Sequence, residues 1–404
     1  MTPITSLPCE VIAGVLRKLD HVQYLLPSVL TCQHFYSSYK ESPSLALDIL
    51  QRQVGPALLP YSIALSEASR MPKPRSKSSI SQLLDTLYND PHALTRRARD
   101  IPFPALMQMG RTHDLIKKFA NEFASDAWLL LGQTENLSLS SAEQFRFCRA
   151  FYRTELFLTL FRGDKTEFSG VFVDERVDMF FSRHPPWVNE QLGCVHDYLE
   201  QRFSKATLDT ISHDIELGEL SIDYITNGPL NASKQIWISL GIDFLNQLEN
   251  APSHEAQQAL LISTATAGRL ELHDSLSRSC ETNTENENNL EDFSDEELKA
   301  LVPKPDEEDT DEGPFIAWHE AHLDTPHDCW VLLQDNASAR RCAYVFWDAA
   351  RVAQYNLLQT LDKLPSIPQY PSHEEFLKMQ HSFNERSRLW QKGGKGYWNP
   401  SDQS

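Results

Sequence analysis

The chain of 404 residues has no run of about 18 apolar residues, so nothing in it reads as a membrane-spanning helix. Its seven cysteines are odd in number, widely scattered and contain no C-x-x-C pair. A disulfide framework and a zinc ribbon or finger are both excluded on that spacing. There is no self-similarity at 20 to 50 residues, which removes propellers and leucine-rich solenoids. No G-x-S-x-G elbow is present, and the glycines at 393, 394 and 396 lack the G-x-x-x-x-G-K-[ST] frame of a phosphate loop. The first eight residues have neither the basic start nor the apolar core of a secretory signal, so the expectation is an intracellular protein, cytoplasmic and/or nuclear.

What is present is an ordinary globular composition, with 41% hydrophobic, 10% aromatic and 23% charged residues. The net charge of −19 is concentrated: residues 271–312 carry sixteen acidic side chains against Arg278, Lys299 and Lys304. No basic face is left for a phosphate backbone, and the expectation is no nucleic acid and no membrane among the partners. Within this stretch, residues 281–289 are Asn, Glu and Thr with no apolar side chain, and residues 304–312 are nearly all acidic. Residues 274–313 are therefore read as a largely disordered linker. One island helix interrupts it, with Ser294 as cap, Glu297 completing a capping box and Phe293 stapled to Leu298.

Residues 70–81 combine two prolines with a string of serines and read as an exposed loop. Beyond them, residues 82–273 are repeatedly helical in period and form an irregular helical domain. Leu115, Phe119, Phe123 and residues 128–131 mark one helix or pair; Phe145, Phe147, Phe151, Leu156, Leu158, Leu160 and Phe161 mark a buried helix. Its charges Arg146, Arg149, Arg153 and Glu155 are expected to reach an edge. Further helices are expected at 186–203, 233–248 and 253–272. From residue 314 the character changes: 330–333 and 343–347 are β-prone runs flanking a turn composition at 335–338, which predicts a hairpin. Asp348 then caps a helix from 349 to about 361.

The most informative stretch is residues 7–36. Pro8 suits a helix start and Glu10 complements the positive end of its dipole. Val11, Ile12, Val15, Leu16 and Leu19 form an apolar stripe at helical period. Asp20 is placed to cap a second helix with Gln23 in the capping-box position, and Pro27 to bend or shorten it. Helices this short, within about fifty residues, cannot bury both stripes alone and need a partner surface.

The order Leu7-Pro8, Glu10, Val11-Ile12, Val15-Leu16, Leu19-Asp20, Leu25-Leu26, Val29, Cys32 and Phe35-Tyr36 resembles the F-box. The family has a leading Leu-Pro, an acid two further on, aliphatics at helical spacing, a break, a second Leu-rich helix and then Cys or a small residue before an aromatic; Pro27 departs from it. The resemblance implies docking onto the Skp-type adaptor of SCF ubiquitin ligases, and through it onto a cullin. The adaptor-binding residues it implies are Leu7, Pro8, Glu10, Ile12, Val15, Leu16, Leu19, Leu25, Leu26, Val29, Cys32 and Phe35. The carboxyl-terminal residues 344–348 (Tyr-Val-Phe-Trp-Asp) and 390–398 (Trp-x-x-Gly-Gly-x-Gly-Tyr-Trp) are similar to motifs of fungal F-box-containing proteins.

The expected architecture is mainly α: F-box helices at 1–50, the irregular helical domain at 82–273, the acidic linker at 274–313, and a small β-hairpin plus helices at 314–404 packed on the helical domain. The expected function is a non-catalytic substrate-recognition subunit of an SCF-type ubiquitin ligase, with an unknown protein target, no cofactor, no metal and no catalytic residue. Two alternatives stand beside it. One is an F-box interaction protein acting outside ubiquitination. The other is a metal-dependent enzyme using His319, His322, His327 and Cys329, whose H-E-x-H spacing differs from the zincin H-E-x-x-H.

Overall fold

The structure, a computed structural model, describes residues 7–162, 171–213, 232–264, 272–279, 290–304, 309–323, 337–361, 363 and 373–393. Among these residues every regular element is a helix. The chain forms two compact units, residues 1–122 with 144–160, and residues 123–143 with 161–404. Residues 1–50 are thus part of a larger body that includes the following seventy residues.

In the first unit, helix α1 (Cys9–Leu16) starts directly after Pro8 and buries Ile12, Ala13 and Leu16. Helix α2 (Leu25–Val29) has only five residues and carries Pro27 in its first turn, where no N–H is needed for an intrahelical bond. Helix α3 (Gln33–Lys40) packs on both, and the His34 Nε2 lies 2.7 Å from the carbonyl of Leu7, tying it to the chain entering α1. Asp20 and Gln23 do not form the expected capping box. The intervening turn at Val22–Tyr24 has no side-chain cap, and Gln23 instead donates to Asp114 at 2.9 Å.

Helix α4 (Leu45–Val54) ends at Gly55, whose φ of 82° only glycine adopts without strain. Helices α5 (Leu59–Arg70), α6 (Lys77–Asn89) and α7 (Pro91–Arg97) pack on one another. The loop expected over 70–81 is shorter than its composition suggested: Ser76 caps α6 by accepting from the Ser79 N–H at 3.1 Å, so the serines open a helix.

Two long helices, α8 (Phe103–Leu130) and α9 (Ser141–Phe161), contribute to both units. Helix α9 is buried as expected, but its arginines do not reach an edge: Arg146, Arg149 and Arg153 are fully buried. Arg149 lies over the Phe145 ring, 5.0 Å from its centroid.

The second unit is built on α10 (Val173–Arg176) and the long α11 (Pro186–His213), against which the helices at Ala232–Ser239, Ile242–Glu249, His254–Ser263, Leu272–Ser279, Gly313–Ala321 and Ala337–Arg341 pack. The single helix expected over 233–248 is broken at Gly241, with φ of 83°. The island helix is found as expected: Asp295–Leu301 begins with a reciprocal Ser294–Glu297 capping box and buries Leu298.

Among the described residues the β-hairpin is not seen. Residues 330–336 lie outside the described residues, the end of the expected turn at 337–338 opens the helix Ala337–Arg341, and residues 343–347 form buried turns with Ala343 at φ of 51°. Aromatic and β-branched runs are favoured wherever bulk must be buried, and here Tyr344, Val345, Phe346 and Trp347 fill the interior of a turn. Trp347 packs on Trp128, ring centroids 5.7 Å apart. The following helix is two pieces, Ala349–Gln354 and Leu357–Leu361, divided at Asn356 with φ of 49°. Asp348 stands at the N-cap without a side-chain cap bond.

The cap's work passes to other carboxylates. Asp311 Oδ1 accepts from the N–H groups of both Gly313 and Ala349 at 2.8 Å, so one acid serves two helix starts. Glu143, fully buried, accepts from the Asp348 N–H and from Arg351 at 2.6 and 2.7 Å. The carboxyl end of the acidic stretch is therefore packed structure, and Asp309 is itself buried; residues 281–289 lie outside the described residues.

Candidate adaptor-docking surface

The candidate surface lies on α1, α2 and α3 of the first unit. Four of the twelve expected anchors, Ile12, Leu16, Leu25 and Val29, point into the unit's own core at 0–3% exposure. They hold the helices together and are not available to a partner in this arrangement. Pro8, Glu10, Val15 and Leu26 are exposed, while Leu7, Leu19, Cys32 and Phe35 are half-buried.

The exposed set has further apolar members outside the expected twelve, Val11, Leu30, Tyr24 and Tyr36. Val11 at 45% and Leu30 at 69% exposure stand beside Val15 at 50% and Leu26 at 43%. Val11 and Val15 are one helical turn apart on α1, on the side away from the buried Ile12 and Leu16. Leu26 and Leu30 repeat that spacing at α2 and its C-cap. The signal was available in the sequence: apolar residues at adjacent positions, 11–12, 15–16 and 25–26, widen the stripe beyond what one core face can take.

These helices are anchored from behind. The Gln53 side chain accepts from the Val22 N–H at 3.1 Å and donates to Asp114 at 2.8 Å and to the Gly110 carbonyl at 3.1 Å. Asp114 also faces His21 Nδ1 at 3.1 Å and accepts from Gln23. Arg17 donates to Asp48 at 2.8 Å, and Arg52 donates to the carbonyls of Arg17 and Leu19. Polar contacts and buried leucines fix the hairpin, and its outward face takes no part in them.

Of the alternative centred on histidines at 319–329, His319 and His322 lie among the described residues. His319 stacks on Phe315 at 5.5 Å with its Nδ1 3.8 Å from Asp295, and His322 places Nδ1 2.7 Å from the Trp318 carbonyl. Each of these contacts uses Nδ1 or the ring face; His327 and Cys329 lie outside the described residues. Among the described residues, the three groups close enough to share a cation are His196, Asp197 and Glu200, whose ligand atoms lie within 4.8 Å.

That cluster is neutralised by its own neighbours. His196 sets Nδ1 3.1 Å from Asp197 and Nε2 3.2 Å from Gln235, which uses both ring nitrogens. Burial alone would lower its pKa, but the bond to Asp197 and the charges of Glu200 and Asp197 outweigh it and the net shift is upward. Arg340 reaches Asp197 at 3.4 Å and grips the buried Glu190 at 2.8 and 3.3 Å. Its guanidinium lies on Gly193, where a Cβ would stand 3.0 Å from Cζ. The arrangement is a buried ion-pair network that clamps α11 to the Ala337–Arg341 helix.

No thiol is set up as a nucleophile among the described cysteines that burial perturbs: it pushes Cys148 up to about 11 and Cys342 up to about 12. No helix among the described residues is long and apolar enough to cross a membrane. Comparison with protein-family models, with curated proteins and with solved structures finds no match.

Proposed function

We propose that this chain is a non-catalytic substrate-receptor subunit of an SCF-type ubiquitin ligase. Its first three helices dock a Skp-type adaptor, and the rest of the chain takes an unidentified protein target. The observation that supports this reading is the outward apolar face of α1 and α2: Val11, Val15, Leu26 and Leu30 are 43–69% exposed while their sequence neighbours Ile12, Leu16, Leu25 and Val29 close the core. A helix pair that keeps a second apolar face is built for a groove on another protein. The F-box-like order of residues 7–36 supplies the identity of that partner.

The mechanism is proximity. A target held beside a cullin-bound conjugating enzyme meets it at high effective concentration, and no residue of this chain need touch the reacting atoms.

The test is a pull-down of the full chain with a Skp-type adaptor, comparing wild type with Val15→Asp, Leu26→Asp. Burying two carboxylates in an apolar groove should weaken binding by roughly a hundredfold or more, with the melting temperature unchanged because both positions are exposed. Equal capture of both proteins, or capture of neither, would overturn the reading. Co-purification of a cullin with the complex separates a ligase subunit from an F-box protein acting outside ubiquitination.

A further inference from the structure

The chain leaves α5 through a cation-rich stretch, with Lys73, Arg75 and Lys77 at alternate positions, and arrives at a group of serines that opens α6. Residues 72–74 and 76–79 are exposed, and backbone on either side of the loop is extended, at Met71 (φ −61°, ψ 135°) and Ser76 (φ −78°, ψ 146°). The three serines differ in what their hydroxyls do. Ser76 Oγ accepts from the Ser79 N–H and sits 2.7 Å from Ser79 Oγ, so both are engaged in the cap. Ser78 takes no part in it and points to solvent-exposed surface.

We propose that Ser78 is a phosphorylation site for a protein kinase that selects cationic residues before its acceptor, with Arg75 three residues ahead and Lys73 five ahead. Charge patterning of this kind is how kinases discriminate substrates, and neither Ser76 nor Ser79 has an arginine at the third position before it. An extended peptide must also enter the kinase cleft. The N–H groups of residues 77–79 belong to the first turn and have no carbonyl four residues back within the helix. Arg75 Nε donates to the Ala68 carbonyl at 3.3 Å, so presenting this segment means opening that bond together with the Ser76 cap and the bond from the Ile80 N–H to the Ser76 carbonyl, 3.1 Å, while the buried Ile80 side chain stays in place.

In the transfer, Ser78 Oγ attacks the γ-phosphorus of the kinase's bound ATP in line. The Oγ–P bond forms, the bond from that phosphorus to the bridging β–γ oxygen breaks, the hydroxyl proton passes to the kinase's base, and ADP leaves. The resulting phosphoryl group lies in the first turn of α6, where negative charge is favoured. The proposal stands apart from the docking reading and uses none of its residues.

The experiment incubates the purified full chain at a temperature below its melting transition with an arginine-directed protein kinase and ATP, and locates phosphate by peptide mass spectrometry. Expected is one phosphoryl group on Ser78, none in Ser78→Ala, unchanged incorporation in Ser79→Ala, and a rate about tenfold or more lower in Arg75→Ala. Incorporation at another serine, labelling only after heating through the melting transition, or an Arg75→Ala rate equal to wild type overturns it. So does no labelling of the chain while a control peptide is phosphorylated in the same tube.

Discussion

Gly110 on α8 lies so close beneath Val22 that a Cβ added there would stand 2.5 Å from Val22 Cγ1. The same Cβ would meet Gln53 Oε1 at 3.1 Å, the oxygen that accepts from the Val22 N–H. This contact is where the turn between α1 and α2 seats on the rest of its unit, and it leaves no room for a methyl group.

Gly110→Ala is therefore expected to destabilise the chain by about 1–3 kcal/mol through overpacking. Val22→Ala alone leaves a void, but combined with Gly110→Ala it removes the clash. A double-mutant cycle in urea should then show a double variant more stable than the two single losses added together. A neutral Gly110→Ala would mean that Val22 and its turn shift without cost.

Much of this was legible beforehand, and the errors have physical causes. The Ser294–Glu297 box was readable because a cap is a local interaction between fixed offsets. The buried character of α9 follows from its aromatic density, but nothing in composition points to its arginines, since charged residues are almost never fully buried and Arg146, Arg149 and Arg153 are. The run at 343–347 has strand composition yet forms turns, because aromatic content marks burial more reliably than backbone conformation. Glu190 and Arg340 stand 150 positions apart, and no local pattern pairs residues at that distance. On the proposed docking surface, the F-box-like order of residues 7–36 spans the helices α1, α2 and α3. It could not divide Leu25 from Leu26, because which of two adjacent leucines faces the core depends on how α2 sits on α3.

His113 supplies a dependence on pH. Its Nδ1 lies 3.1 Å from the Tyr152 hydroxyl and its ring stacks on that tyrosine. Burial pushes its pKa down from 6.5 to about 4, with Lys117 and His21 acting the same way and Asp114 opposing. Above pH 6.5 the residue is neutral in both states and its contribution is level. As pH falls from 6.5 towards 4 the unfolded chain takes up a proton that the folded chain refuses, so stability is lost across that window at up to about 1.4 kcal/mol per pH unit. Urea midpoints measured from pH 7 to 4 should fall less steeply in His113→Gln than in wild type. Parallel slopes would assign the acid sensitivity to other groups.

The Arg340 clamp predicts an asymmetric pair of variants. Glu190 is fully buried, with its pKa pushed up by desolvation, opposed by Arg340 and raised again by Asp197. Arg340→Met strands that carboxylate and should cost about 3–5 kcal/mol. Adding Glu190→Gln removes the stranded charge, so the double variant should regain part of the loss on thermal denaturation. A double variant less stable than Arg340→Met alone would show that Glu190 is held mainly by partners other than Arg340.

Leu25 and Leu26 are chain neighbours with opposite surroundings, 0% and 43% exposed. Truncating a leucine in a closed core costs about 2–5 kcal/mol, from lost burial and the cavity left behind. An exposed leucine loses almost nothing on truncation, within about 0.5 kcal/mol. On the proposed docking reading, Leu25→Ala should therefore lower the melting temperature while the fraction still folded binds the Skp-type adaptor as wild type does. Leu26→Ala should melt like wild type and bind more weakly, because its side chain contributes only when a partner covers it. Titration calorimetry on both variants, run below the lower of the two melting temperatures, reads the two effects separately. If Leu26→Ala binds as wild type does while Leu25→Ala loses affinity in proportion to its unfolded fraction alone, the outward face of α2 is not the docking surface.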